Sequence, residues 1–265
     1  MAAALILLIL IASALLAPIL SQWVTHNTAT QQDLSNALAQ PSATHWLGTD
    51  QLGRDTLTRL LFGAQVSLGV AALTMGMSLT LGTAVGLLAG YLGGWIDNVL
   101  MRLLDMLLAV PPIFFFIMLS IILRPNALTL AILISSISWL PVARLVRAQV
   151  LATKHLEYIV AVQTLGATGG RVVFRHILPA VAPVLIVTAS LSMGQIILIE
   201  AALDFLGLGL RPPAPSWGNM ISDAQLAITH SALPAIFPGA TIFIAVLATN
   251  VLGDALRDAL DPTLQ

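Results

Sequence analysis

Residues 177–199 read ILPAVAPVLIVTASLSMGQIILI, and residues 231–253 read SALPAIFPGATIFIAVLATNVLG. Neither block carries a charged side chain. Each is as long as the about 20 apolar residues that a helix needs to cross a bilayer core, where every backbone N–H and C=O must be paired inside the segment. Four further stretches meet the same requirement, near residues 2–20, 66–90, 99–122 and 126–148. Helices buried in a large soluble core would need polar outer faces and many more charges. The chain reads as an all-α, polytopic membrane protein with about six transmembrane helices, its main partner being membrane lipid.

Composition narrows the function classes. The 265 residues are 58% hydrophobic and 9% charged, against about 25% charged in a soluble domain, which excludes an ordinary cytosolic enzyme. With 11 Lys+Arg against 12 Asp+Glu there is no broad basic field, so no nucleic acid partner is expected. Without cysteine, no disulfide, thiolate zinc site, iron–sulfur cluster or cysteine nucleophile can be built. The five histidines fall in loops or at span ends without a His-x-x-x-His pair, and Met75, Met77 and Met193 read as span packing, so no metal site is assigned.

Sidedness follows from where Lys and Arg fall near the helix ends. With both termini inside, Arg102, Arg144, Arg147, Lys154, Arg171, Arg175 and Arg257 are inside, and Arg54, Arg59, Arg124 and Arg211 outside. Ala12-Ser13-Ala14 has the look of a signal-peptide cleavage site, against which stands the lack of basic residues before the apolar run; a first span and a cleaved signal peptide are the two alternatives for residues 1–20. Both alternatives put residues 21–59 outside. The chain divides into residues 1–59, a first span with its extracytoplasmic segment, and residues 60–265, the core of the transmembrane domain.

Five of the seven inner cations lie between Arg144 and Arg175, around the one long polar interval of the membrane block, residues 151–180, LATKHLEYIVAVQTLGATGGRVVFRHILPA. A helix opening at Lys154-His155-Leu156-Glu157 should stop near Leu165-Gly166, where glycine can take a left-handed conformation. A second short helix is expected from Arg171 to Leu178, with Pro179 starting the fifth span.

This interval resembles the cytoplasmic EAA loop of bacterial ATP-binding-cassette importer permeases: Glu-Ala-Ala, three residues, Gly, nine residues, Ile, one residue, Leu-Pro. With Gly166 on the family glycine, Val160-Ala161-Val162 falls on Glu-Ala-Ala and Leu178-Pro179 on Leu-Pro, while His176 stands at the Ile position. Val160 replaces the family acid, and Glu157, one turn upstream, is the substitute candidate. A second run, His45-Trp46-Leu47-Gly48-Thr49-Asp50-Gln51-Leu52-Gly53-Arg54-Asp55, is similar to the segment after the first span in C-type permeases of dipeptide, oligopeptide and nickel importers. Similarity continues in Asp97–Pro111, Leu203–Gly209, Trp217-Gly218 with Met220-Ile221, and Gly253–Pro262.

The resemblance implies a type I ABC importer permease fold in the bacterial inner membrane. It also implies a B-type permease subunit as heterodimer partner, two ABC ATPase subunits and an extracytoplasmic solute-binding protein. Its coupling loop would use Glu157, Ala161, Gly166, Arg171, Arg175 and Pro179. The chain lacks a phosphate loop ending in Gly-Lys-Ser/Thr; ATP and Mg would bind at the partner ATPases, and no cofactor at this chain. The implied cargo is a di- or oligopeptide, or nickel, including as a chelate, moved by alternating access.

Ionisable groups inside a bilayer are costly, so Asp105, Glu200 and Asp204 are expected away from lipid, as parts of a path or gate or as structural bonds. Arg102 is placed to pair with Asp105. Gly82, Gly86 and Gly90 repeat at four residues and fit close helix packing. A gradient-driven secondary transporter is the alternative, though no convincing internal repeat relates residues 60–150 to 177–265. An intramembrane enzyme lacks its motifs: there is no His-Glu-x-x-His, Gly-x-Ser-x-Gly or Gly-x-Gly-Asp.

Overall fold

The computed structural model describes residues 1–123 and 125–260, so Arg124 and the Asp261-Pro262 end of the terminal run lie outside the described residues. In chain order the helices are α1 (Ala2–Leu15), α2 (Ala17–Leu20), α3 (Thr56–Leu92), α4 (Gly94–Leu108), α5 (Pro112–Leu123), α6 (Ala127–Thr153), α7 (Glu157–Thr164), α8 (Gly169–Val172), α9 (Leu178–Phe205), α10 (Trp217–Ala224) and α11 (Leu233–Leu260). No strand forms among the described residues; Thr49 and Asp55 make an isolated bridge.

Four helical runs are each long and apolar enough to cross a membrane: Thr56–Leu92, Ala127–Thr153, Gly169–Phe205 and Leu233–Leu260. Two bent pairs bring the number to six if each counts as one span. In the first pair the chain turns by 65° at Leu16 between α1 and the run Ala17–Thr25. In the second, α4 and α5 meet at 79°, so the expected third span at 99–122 is broken rather than straight. The cause is Pro111-Pro112: a proline disfavours helical backbone in the residue before it, and Pro112 can only open a new helix.

Side-chain caps set the helix starts. The Asp55 carboxylate accepts the Thr58 N–H at 2.8 Å and the Thr58 hydroxyl at 2.7 Å, so α3 begins well before the apolar run near 66 and passes through the 59/60 division. Asn126 with Thr129, and Ser216 with Asn219, form reciprocal capping boxes at α6 and α10.

The largest helix contact is between α3 and α6, and glycines make it. A Cβ on Gly82 would lie 2.6 Å from Val142 Cβ, one on Gly86 2.6 Å from Val146 Cβ, and one on Gly90 2.7 Å from Val150 Cβ. Both helices advance by four residues per contact, so they run parallel, their backbones touching where no side chain intervenes. Ser67, early in α3, meets Glu200, late in α9, so α9 runs the other way. Contacts of Gly194 with Thr249 and of Gly253 with Leu191 turn α11 back again beside α9. One face of the bundle therefore collects the starts of α3 and α6 and the end of α9. The opposite face, called the loop face below, collects the ends of α3 and α6, the start of α9, and residues 154–177.

The seam makes opposite predictions for two glycines of one helix. Gly86→Ala should lower the thermal unfolding temperature of the purified chain in detergent, by an overpacking loss of about 1–3 kcal/mol. Gly76→Ala, whose Cβ would meet nothing within 4 Å, should leave it equal or higher. Equal effects at the two positions would contradict this packing.

Candidate functional site

On the loop face α7 ends at Leu165, and Gly166 turns the chain with φ +88°, a backbone an L side chain rarely adopts. After the turn, helix starts again at Gly169 and continues through a π turn at Val173–Ile177 into α9. The second loop helix is thus the N-terminal extension of the fifth span. Pro179 is the second residue of α9, in the first turn as expected, though helical backbone already precedes it; its missing N–H falls where the ladder is relaxed by the π turn.

The loop is anchored on one side only. Ile159, Val172 and Ile177 are fully buried with Val146, Val150 and Val181, and Tyr91 at the end of α3 packs against Gly169. Glu157, Ala161, Gly166, Arg171, Arg175 and Pro179 are all exposed, as are Tyr158, Val160, Leu165 at 88% and Phe174 at 70%. Glu157 sits in the first turn of α7, where its charge also favours the helix dipole. Val162, Leu165, Ala167, Arg171, Arg175 and His176 border a shallow groove at the Gly166 turn. Chemically this is a mixed apolar and cationic surface, suited to a protein partner.

Ion pairs brace the loop face. Arg147 holds Asp97 with two parallel bonds, one of 2.5 Å from Nη2 to Oδ2, and Lys154 donates to the Gly90 carbonyl at 2.9 Å. Asp105 pairs with Arg144 on α6, not with Arg102 one turn away. The contacts advance from Asp97 to Asp105 along α4 but only from Arg147 back to Arg144 along α6. Helix α4 therefore crosses α6 obliquely and presents its acids to the partner helix.

Halfway along the bundle, α3, α5, α6 and α9 enclose a cavity of about 290 Å³. Its polar lining is Ser78, Ser138, Thr188, Ser192 and Gln195 among Met75, Phe116 and Ile137, with no charged side chain. Thr188, Ser192 and Gln195 share one face of α9 by spacing. Thr188 and Ser138 bond carbonyls of their own helices, while the buried Ser78 hydroxyl has no partner among the described residues. Asp105, Glu200 and Asp204 do not line this cavity.

Glu200 and Asp204 lie instead on the face opposite the loop, 0% and 2% exposed between α3, α9 and α10. Glu200 Oε1 accepts the Ser67 hydroxyl at 3.0 Å. Asp204 accepts the Leu210 N–H at 2.6 Å and the Ser216 hydroxyl. The pair thus secures the turn after α9 and the cap of α10. Beside them lies a cluster that sequence reasoning missed. Arg54 donates to Asp50 at 2.6 Å and to Asp223 at 2.7 Å, and Arg59 approaches the same two acids at 3.5 and 3.2 Å. The alternating charges of Asp50, Arg54, Asp55 and Arg59 ahead of an apolar span were a local signal; nothing local points to Asp223.

The family described as binding-protein-dependent transport system inner membrane component matches residues 82–265. The dipeptide transport system permease protein DppC of Alkalihalophilus pseudofirmus is 42% identical, covering 97% of this chain and 85% of that protein. The glutathione transport system permease protein GsiD of Pectobacterium atrosepticum is 40% identical over 100% and 87%. The oligopeptide transport system permease protein OppC of Bacillus subtilis is 39% identical over 98% and 84%. On these matches, with helices of membrane-crossing length, the chain belongs to the binding-protein-dependent transport system inner membrane components and is a multi-pass permease subunit of an ABC importer, not an enzyme.

Proposed function

We propose that this permease subunit moves di- or oligopeptides across the bacterial inner membrane, with both termini and the loop face in the cytoplasm. Its path is shared with a B-type permease subunit. Importers of this family work with ATPase subunits and a binding protein; here two ATPases would bind ATP and Mg and press on the loop, and the binding protein would deliver peptide to the opposite face. Similarity to permeases named for dipeptide, glutathione and oligopeptide transport supports peptide over nickel. Family membership replaces the gradient-driven alternative.

The observation that carries the mechanism is the unbroken helical run Gly169–Phe205. It joins the exposed loop at one end to the buried Glu200–Asp204 seat of α10 at the other, so a push on α8 is passed along one continuous helical run. The ATP-bound motor favours whichever bundle state it contacts better, and only by that difference. The uncharged mid-bundle cavity suits a path for peptides: hydroxyls and an amide can meet peptide bonds in passing without holding them as a fixed charge would.

Gly166 tests the loop. Gly166→Ala meets no neighbour within 4 Å, so its effect is conformational strain of about 1–2 kcal/mol at the turn. It should assemble yet lower peptide-stimulated ATP hydrolysis, while Gly166→Asn, better tolerated in this conformation, should lie between it and wild type. Full stimulation in both variants would remove the loop from the coupling role. Cargo is tested by growth of a peptide auxotroph carrying the complete importer: rescue by dipeptides is expected, and rescue only from nickel limitation would overturn the peptide reading.

A further inference from the structure

The ends of α10 are held in two different ways. At its start Trp217 is fully buried; its indole N–H donates to the Leu60 carbonyl at 3.2 Å and its backbone N–H to the Ser67 hydroxyl at 3.2 Å. Ser216 is bonded to Asp204, and a Cβ on Gly218 would stand 2.7 Å from Ala201 Cα. This end is fastened to both α3 and α9 and has no room to shift. Near the other end Ser222 donates to the Phe205 carbonyl of α9 at 3.0 Å and Ala224 is buried, while the tie toward α3 is electrostatic. Asp223 reaches Arg54 at 2.7 Å and Arg59 at 3.2 Å, and its side chain is 29% exposed against 5% and 3% for the arginines. The chain beyond it carries Leu226, 85% exposed, on a short 3₁₀ turn.

Asp50 changes what breaking that end requires. Its carboxylate holds Arg54 at 2.6 Å and Arg59 at 3.5 Å, independently of Asp223. If Asp223 leaves, it passes into water from a site it already partly shares with water, and both guanidiniums keep a carboxylate. That is one carboxylate for two buried guanidiniums, so release leaves one positive charge in excess, and Asp50 lowers the cost of opening without removing it.

We propose that α10 rides on α9 as a flap on the face opposite the loop, latched toward α3 by Asp223 on Arg54 and Arg59, and that release of the latch opens that end of the path. The proposal rests on the alternating-access reading. Tilting α9 carries α10 with it, because Asp204 grips Ser216 and the Phe205 carbonyl holds Ser222, while the arginines stay with α3; relative movement of the two helices therefore loads the Asp223 contact. Asp223 is a positioning residue, acting through the flap and touching no cargo.

The test uses the complete importer, with both permeases, the ATPases and the binding protein, in lipid nanodiscs, with dialanine as probe. Asp223→Asn should raise ATP hydrolysis in the absence of binding protein by about two- to fivefold, the shift that loss of one partly exposed ion pair brings. Unchanged basal hydrolysis in an assembled complex would overturn the latch. Should that variant fail to assemble, Asp223→Glu keeps the charge and displaces it by one methylene: basal hydrolysis above wild type but below the level of a charge loss is expected, and basal hydrolysis equal to wild type in an assembled complex would overturn the proposal. A wild-type complex that hydrolyses ATP without moving dialanine would sink the peptide reading while leaving the basal-hydrolysis test in force.

Discussion

The contact on which the arrangement depends is the glycine seam between α3 and α6. In a bilayer, apolar side chains gain little by leaving lipid for one another, so helix pairs are held by close packing and polar bonds. Gly82, Gly86 and Gly90 let the α6 backbone come near enough for Val142, Val146 and Val150 to seat directly on α3. Because the steps match along both helices, the pair is parallel. A parallel pair in sequence needs a returning connection, which α4 and α5 supply. The bend at Pro111-Pro112 follows from that route as much as from the prolines.

On this fixed pair, α9 is the element that links the two faces. Its extension to Gly169 makes the loop helix and the membrane helix one object, and Glu200 and Asp204 at the far end attach α10 to it. The acids read from the sequence as path, gate or structural bonds each make a bond in the structure: Asp105 to Arg144, Glu200 to Ser67, Asp204 to Ser216. The cavity is lined by neutral groups. That division suits a conduit, since a charge in the path would bind what must be released, whereas a charge beside it can brace the walls.

Much of this was legible in the residues. Uninterrupted apolar blocks identify spans because the bilayer leaves the backbone no other way to satisfy its polar groups. The Gly166 turn was readable for a similarly local reason: only a few residues accept φ near +88°. The break in the third span was within reach too, since two adjacent prolines stand in it. By contrast, the pairing of Asp105 was misjudged because proximity in sequence favoured Arg102, and α6 supplied Arg144 from across the bundle.

Taken alone, the chain determined where the apolar stretches lie, that the backbone turns at Gly166, and that 151–180 is the long polar interval between two of them. These are short-range properties, dictated by backbone pairing and side-chain polarity within a few turns. Only the tertiary structure decided which glycines touch which helix, that the second loop helix is continuous with α9, and that Asp223 closes on Arg54 and Arg59 from 169 and 164 positions away. Contacts of that kind depend on the directions in which packed helices run, and no local pattern of residues encodes them.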